Sequence, residues 1–408
     1  MANIFRLLLI FSLGFLCAHS SLADDNLLPQ IEALETKGAA YLLAKQADNG
    51  AWLPEIGQPA ITALACLGLH HAANKAPDIR ARLDKALDYI VGNARPDGAI
   101  AGAPRRSGRG GGRPGGPPAG GRGGRGGPGG QMAGSYTVYN TAISLVALAK
   151  FNRPQDVETM RRARTYLLGP DASPEGLPLA DSSGQGGIGY GQRQRADLSN
   201  TAWTLEALHA TDYLDREPFS QDPQAAAKAG LAWDKALQFL TICQNLQDTN
   251  QSAWVKDAPA GDRGGFIYSP ADALKEDRRE EALRSYGSMT YAGLKSLIYA
   301  KVSKDDVRMT SAWDWVKRYY TVDQNPGVGQ AGLFYYLHTF SKTLALFGEP
   351  TITDANGTAH DWKRELVAKL QATQATDGSW VNAQSGRWME SVPELVTAYA
   401  LMSLEFCR

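Results

Sequence analysis

The sequence predicts an all-α protein in which six helix pairs close into a ring. Three observations carry this. The pattern Gln-x-x-x-Gly-x-Trp occurs at Gln46, Gly50 and Trp52 and returns at Gln374, Gly378 and Trp380, near the other end of the chain. Between the two copies a helix, a Gly-containing loop and a more apolar helix recur at intervals, the signature of a repeat architecture. The chain is also long for one core. Removing an expected leader of 23 residues from 408 leaves 385, above the ~250–300 residues at which single cores stop growing. A ring of repeats resolves this, because each pair buries its apolar face against its neighbours.

The N-terminus reads as a secretory leader. Arg6 gives a positive start, "LLLIFSLGFLC" an apolar stretch short for a bilayer, and Ser21-Leu22-Ala23 small residues where cleavage would fall. Residues 1–23 are therefore expected to be removed, leaving a single domain over 24–408 and an exported protein, periplasmic or extracellular. Cys17 follows the bulky Leu16, which argues against lipidation. No later segment is long and apolar enough to span a membrane. With 42 basic and 42 acidic side chains the chain is neutral, so its body offers nucleic acid no attraction. Cys66, Cys243 and Cys407 lie in apolar helical contexts without CxxC spacing and are expected to be buried thiols.

Six outer helices are expected to begin near residues 30, 80, 158, 229, 309 and 359, as in "EALETKGAAYLLAKQ" and "RLDKALDYIVG". Each is followed by an apolar inner helix: "PAITALACLGL", "YNTAISLVALAKF", "LSNTAWTLEALHA", "GSMTYAGLKSLIYA", "LHTFSKTLALFG" and "PELVTAYALMSLEF". Ala and Leu recur at helical spacing, and Pro59 and Pro393 sit where a helix tolerates a missing N–H. In the twice-occurring motif, the Gln amide is expected to bond orphan backbone groups of a neighbouring helix end. Gly supplies a positive φ, and Trp plugs the seam between pairs. In a closed ring the first and last pairs are neighbours. With inner helices parallel, aligning Pro59 on Pro393 places Cys66 and Cys407 about 10 Å apart along the axis, so no disulfide is expected between them.

The Gln-x-x-x-Gly-x-Trp motif with this helix pairing resembles the prenyltransferase and squalene oxidase repeat, or QW repeat. That family includes terpene cyclases and protein prenyltransferase β subunits. "GGIGYGQRQRADLSNTAWTLEAL", "GSMTYAGLKSL" and "DGSWVN" also resemble its secreted bacterial members of unassigned activity. The resemblance implies an (α/α)6 toroid, inner helices around a central cavity.

The resemblance implies chemistry carried by particular residues. The DxDD acid of the cyclases does not occur, and Asp305-Asp306 reads as a polar turn. The diphosphate-binding DDxxD is absent too. "FYYLHTFSKTLALFG" is similar to the segment bearing the prenyltransferases' zinc-binding His, which would carry that role onto His338. The preceding inner helix supplies only Ser and Tyr, and one imidazole does not hold zinc. The reading is therefore no metal and no cofactor. Gly-x-Ser-x-Gly, HExxH and a phosphate loop are likewise missing.

What remains is a set of polar residues at inner-helix starts. Asn200, Tyr286, Ser288, Tyr335, Tyr336, His338, Arg387 and Trp388 are the candidate ligand contacts, beside Asn140, Thr141, Ser199 and Thr201. The Ser, Asn and Thr residues read equally as helix caps, and His338 as a satisfied core histidine. His338, Glu390 and Glu394 are the candidate catalytic groups. The two Glu share a helix face if the helix begins that early, and negative charge at a helix start explains them as well. Residues 103–131 form an Arg–Gly–Pro tract with six Arg and no acidic residue, expected to be a disordered insertion.

Two functions follow. In one, a monomeric exported protein binds an apolar or extended ligand (isoprenoid, lipid or polysaccharide) in its cavity. In the other, an enzyme uses atypical residues on an isoprenoid or, as a lyase or hydrolase, on a polysaccharide.

Overall fold

The computed structural model describes residues 27–56, 58–102, 136–169, 186–190, 195–275, 277 and 279–408. The expected leader and the 103–131 tract lie outside them.

Twelve helices of twelve residues or more alternate between two concentric layers. The outer layer comprises α1 (Leu27–Lys45), α3 (Pro77–Gly92), α5 (Val157–Leu168), α7 (Ala225–Cys243), α9 (Val307–Arg318) and α11 (Trp362–Thr373). The inner layer comprises α2 (Pro59–Lys75), α4 (Thr137–Phe151), α6 (Leu198–Ala210), α8 (Gly287–Tyr299), α10 (Leu333–Phe347) and α12 (Pro393–Glu405). Each inner helix packs on the next, and α12 returns to α2, while α1 lies against α11 and α12. The ring is closed. One two-residue hairpin, Ile352–Thr353 with Ala359–His360, decorates the link before α11.

Sequence pattern decides the layer. An outer helix buries one stripe, as α3 does with Leu83, Ala86, Leu87 and Ile90, whereas α12 is buried at every position from Leu395 to Leu404. Pro59, Pro77 and Pro393 open their helices, and the Asp306 carboxylate caps α9 by accepting from the Arg308 N–H at 2.9 Å.

The repeated motif works as a staple, by a different division of labour from the one expected. Gln374 donates to the Leu34 and Gly378 carbonyls, each at 3.0 Å, and Gln46 to Arg82 and Gly50 at 3.1 and 2.9 Å. Leu34 and Arg82 lie inside the neighbouring outer helix, so the Gln uses a second lone pair rather than an orphan group. The orphan carbonyls go to the indoles: Trp52 Nε1 donates to Leu42 at 2.7 Å and Trp380 Nε1 to Leu370 at 2.8 Å, both in a helix's last turn. Trp380 also fills the α11–α1 seam, where a Cβ on Gly38 would lie 2.8 Å from its ring.

Sequence showed this staple twice, but the turn recurs five times. Gly50, Gly98, Gly186, Gly264 and Gly378 all have φ between 87° and 90°. Each faces a backbone carbonyl of the next outer helix; at Gly378 a Cβ would lie 2.4 Å from the Lys37 oxygen. Two residues on, the backbone N–H of Trp52, Ile100, Ile188, Phe266 or Trp380 donates to a hydroxyl of the following inner helix, from Thr62, Thr141, Thr201, Thr290 or Thr397.

Cys66, Cys243 and Cys407 are buried and unpaired, and burial pushes their thiols well above the usual range. No helix among the described residues is long and apolar enough to cross a membrane.

Candidate functional site

The middle of the ring is built by inner-helix residues one turn apart. On α6 these are Ser199, Trp203 and Glu206; on α10 they are Tyr335, His338 and Lys342. Ser199 Oγ lies 3.1 Å from the Tyr335 hydroxyl, the Trp203 and His338 rings stack at 5.9 Å, and Lys342 donates to Glu206. Three contacts in matching order mean that α6 and α10 run parallel. They also mean that side chains fill the bore, because α8 separates these two helices around the ring.

The deepest layer is ionic. Glu206 accepts hydrogen bonds from both Lys295 of α8 and Lys342, with Glu206 and Lys295 only 3% and 4% exposed. Burial raises the Glu206 pKa, but the two ammonium groups together outweigh it and hold the carboxyl down to about 2. Above this pair the His338 ring lies between Trp203 and Tyr399, 5.9 Å from each. Burial and then Lys342 depress it to about 3, so the imidazole is neutral. Neither of its ring nitrogens has a hydrogen-bond partner among the described residues.

The layer at the inner-helix N-termini is different: it is half-buried and rich in tyrosine. Tyr335 packs on Tyr399, with ring centres 5.7 Å apart, and the hydroxyls of Tyr139 and Tyr399 are 3.5 Å apart. Tyr190 lies edge-on to Tyr136 at 4.7 Å and near Tyr139 at 5.9 Å. Tyr136, Tyr139, Tyr190, Tyr268, Tyr335 and Ser199 all keep partial exposure. Together they make a bowl over the plugged bore. Buried beside it, Asp197 caps α6, accepting from the Asn200 backbone N–H at 2.9 Å and side-chain amide at 2.8 Å. Burial pushes its carboxyl up to about 7 against those donors and the Tyr268 hydroxyl.

The predicted residues divide. Tyr335 and Tyr286 reach the bowl, and Tyr286 also occupies the N-cap position of α8. Arg387 and Trp388 stand exposed at its rim, the guanidinium 4.7 Å from the indole centre. Asn200 orients Asp197. Ser288 is tied to Asn325, whose side-chain oxygen accepts from the Ser288 N–H at 2.9 Å. Tyr336, 100° round the helix from Tyr335, faces outward and donates to the Thr321 carbonyl at 2.6 Å. His338 is a core histidine in position, without the partners that would satisfy one.

Glu390 and Glu394 do not share a helix face, because α12 starts at Pro393 and leaves Glu390 in the preceding loop. Glu390 instead serves α10, accepting from the Tyr335 backbone N–H at 2.9 Å and from Asn382 at 2.7 Å. Burial raises it to about 7 despite these donors. Glu394 lies half-buried in the first turn of α12, within electrostatic range of the Tyr41 hydroxyl of α1. Asn140 likewise serves a neighbour, accepting from the Ala60 N–H at the start of α2 at 3.1 Å.

The ionic layer was missed by inspection of helix starts, although a signal exists. Glu206, Lys295 and Lys342 each lie seven residues after Ser199, Ser288 and Tyr335, the only charges within three apolar inner helices. Among the described residues no group of His, Cys, Asp and Glu is arranged to hold a metal ion.

The fold is an α/α toroid. No protein-family model matches the chain, and no curated protein matches it. Among solved structures, a novel alpha-amylase from Clostridium perfringens is 12% identical, over 91% of this chain and 97% of that one, with a TM-score of 0.51. The type II terpene cyclase MstE from Scytonema, in its apo form, is 14% identical over 92% and 97%, with a TM-score of 0.49. A variant of that cyclase in complex with geranylgeranyl dihydroxybenzoate is 12% identical over 93% and 98%, at 0.32. The first likeness concerns the fold alone, and the two cyclase scores add no argument to it.

Proposed function

We propose that this is an exported squalene cyclase/prenyltransferase-like repeat protein that binds a polysaccharide at the tyrosine-lined end of its bore, without the DxDD acid or the zinc site. One observation carries the choice of ligand. Below the bowl the bore is filled by Trp203, His338 and Tyr399, and then by Glu206, Lys295 and Lys342. A threaded hydrocarbon chain would have to displace a buried ion cluster, whereas a polymer lying across the bowl leaves that cluster in place. The lining supports this. A hydrocarbon is best held by apolar faces, while half-buried tyrosines combine such faces with hydroxyls that bond a polar ligand. Export rests on the leader sequence and is checked by N-terminal sequencing of the protein from its own compartment, with Asp24 as the expected first residue.

The test is affinity electrophoresis of the mature protein in gels containing soluble polysaccharides, beside fluorescence titration with geranylgeraniol and squalene. Retardation by a polysaccharide, weakened in Tyr335→Phe and Tyr139→Phe, is the expected result. Binding of an isoprenoid with no retardation by any polysaccharide would overturn the reading.

A further inference from the structure

The rim of the bowl carries a cation that no carboxylate among the described residues answers. Arg387 is exposed and makes no ion pair among the described residues. Its guanidinium stacks on Trp388, itself 45% exposed, and lies within electrostatic range of the Tyr286 hydroxyl. The acidic groups nearby are engaged elsewhere. Asp197 faces Asn200 and Tyr268, Glu390 faces Asn382 and the start of α10, and Glu394 acts on Tyr41. The neighbouring Arg195 is paired with Asp272. Among the described residues, the charge left over at the rim is therefore positive.

This rim is held rigidly in an unusual conformation. Trp388 and Met389 are consecutive non-glycine residues at φ 57° and 66°, in the left-handed region that their side chains disfavour. Such strain persists only where the surroundings impose it. Here they do so from both sides. A Cβ on Gly332 would lie 2.5 Å from the Trp388 ring, so the indole seats against bare backbone at the start of α10. The next residue in the chain, Glu390, is anchored by Asn382 and the Tyr335 N–H. The result is a fixed aromatic face with a planar cation stacked on it, next to the tyrosine hydroxyls.

We propose that the ligand of the bowl is an acidic polysaccharide, with a sugar carboxylate on the Arg387 guanidinium that Trp388 positions; this rests on the polysaccharide reading above. A guanidinium presents paired N–H donors that match a carboxylate, and stacking on Trp388 fixes the plane in which they point. The half-buried tyrosines of the bowl offer the sugar both apolar faces and hydroxyls.

Polygalacturonate and its fully methyl-esterified form separate the charge from the ring. With the mature wild-type protein, the ester should bind about tenfold more weakly than polygalacturonate, and added salt should weaken only the acidic polymer. Arg387→Gln, an exposed substitution, should reduce polygalacturonate binding by the same factor and leave the ester unchanged. Trp388→Ala, which frees Arg387 from its platform, should weaken polygalacturonate and spare the ester, with its thermal midpoint measured to separate loss of positioning from loss of fold. Equal binding of the two polymers, insensitive to Arg387→Gln, would overturn the acidic ligand and leave polysaccharide binding standing. No binding of either polymer would overturn the acidic ligand, and polysaccharide binding itself would then stand or fall on retardation by neutral polysaccharides.

Discussion

Glu206 on α6 and Lys295 on α8 form an ion pair at the centre of the ring, with Lys342 reaching the same carboxylate from across the bore. Two ammonium groups on one carboxylate leave an excess positive charge in a layer that water scarcely reaches. Such a cluster is weak evidence for stability as a whole, yet removing one partner is costly, because it strands the others unpaired. Glu206→Gln keeps the shape and strands two ammonium groups. It should destabilise the fold by about 3–5 kcal/mol in denaturant titration. Adding Lys295→Met and Lys342→Met should recover most of that loss; failure to recover would mean that the cluster contributes more than charge pairing.

Two buried carboxyls make stability depend on pH in an uncommon direction. Asp197 and Glu390 are both raised to about 7, from ordinary values of 3.8 and 4.5, by burial. A group raised in the folded state holds its proton more tightly there than when unfolded. Its contribution is complete below the ordinary value and is lost as pH climbs through about 7. Buried His338, depressed to about 3, gives the opposite slope over this range, so the carboxyl contribution is read by difference. In denaturation midpoints, wild type should lose stability relative to Glu390→Gln as pH rises from 4 to 8. Glu390→Gln keeps an acceptor for the Tyr335 N–H but cannot ionise, so it should escape that loss. A slope unchanged by both Glu390→Gln and Asp197→Asn would locate the dependence in other groups.

The ring turns depend on glycine for two separable reasons. At Gly378, φ is 89° and a Cβ would also strike the Lys37 carbonyl at 2.4 Å. At Gly357, φ is 84° but nothing lies within 4 Å. Gly357→Ala should therefore cost only the conformational strain, about 1–2 kcal/mol. Gly378→Ala should cost that plus displacement of α1, so its thermal midpoint should drop clearly further. Equal losses would show that the close approach is relieved by small backbone movement.

Architecture was legible because it rests on patterns that survive loop variation: helical periodicity, prolines at helix starts, and two full copies of one motif. The same variation hid the remaining turns. The interval from the stapled residue to its Thr is ten residues for Trp52 and Thr62 but forty-one for Ile100 and Thr141, so no fixed spacing could have revealed it. Candidate site residues were chosen by proximity to helix starts, which cannot distinguish the faces of a helix. Tyr335 and Tyr336 are adjacent in sequence, yet one reaches the bowl and the other bonds the Thr321 carbonyl outside the inner layer. Glu390 was paired with Glu394 by spacing, although Pro393 starts the helix between them and frees Glu390 to cap its neighbour. The aromatic bowl is assembled from four inner helices and two loops, a convergence that only the closed ring creates.

The least visible staple supplies the sharpest test of this architecture. Gln244 donates to the Gly264 carbonyl and to the Arg308 carbonyl of α9, each at 2.9 Å, repeating what Gln374 does with Gly378 and Leu34. It does so without the sequence motif, because its glycine is twenty residues away and Phe266 stands where Trp would. Gln244 is buried and Gln374 half-buried, and each amide bridges two backbone carbonyls, so their truncations should fall in the same range. Gln244→Ala and Gln374→Ala should each cost about 1–3 kcal/mol, from two lost hydrogen bonds and the carbonyls left short of a donor. Because the sites lie in different pairs with no shared partner, the double variant should show the sum of the two. A Gln244→Ala protein as stable as wild type would mean that the staple acts only where Trp accompanies it. The indole bond to the preceding helix, rather than the amide, would then be what fastens one pair to the next.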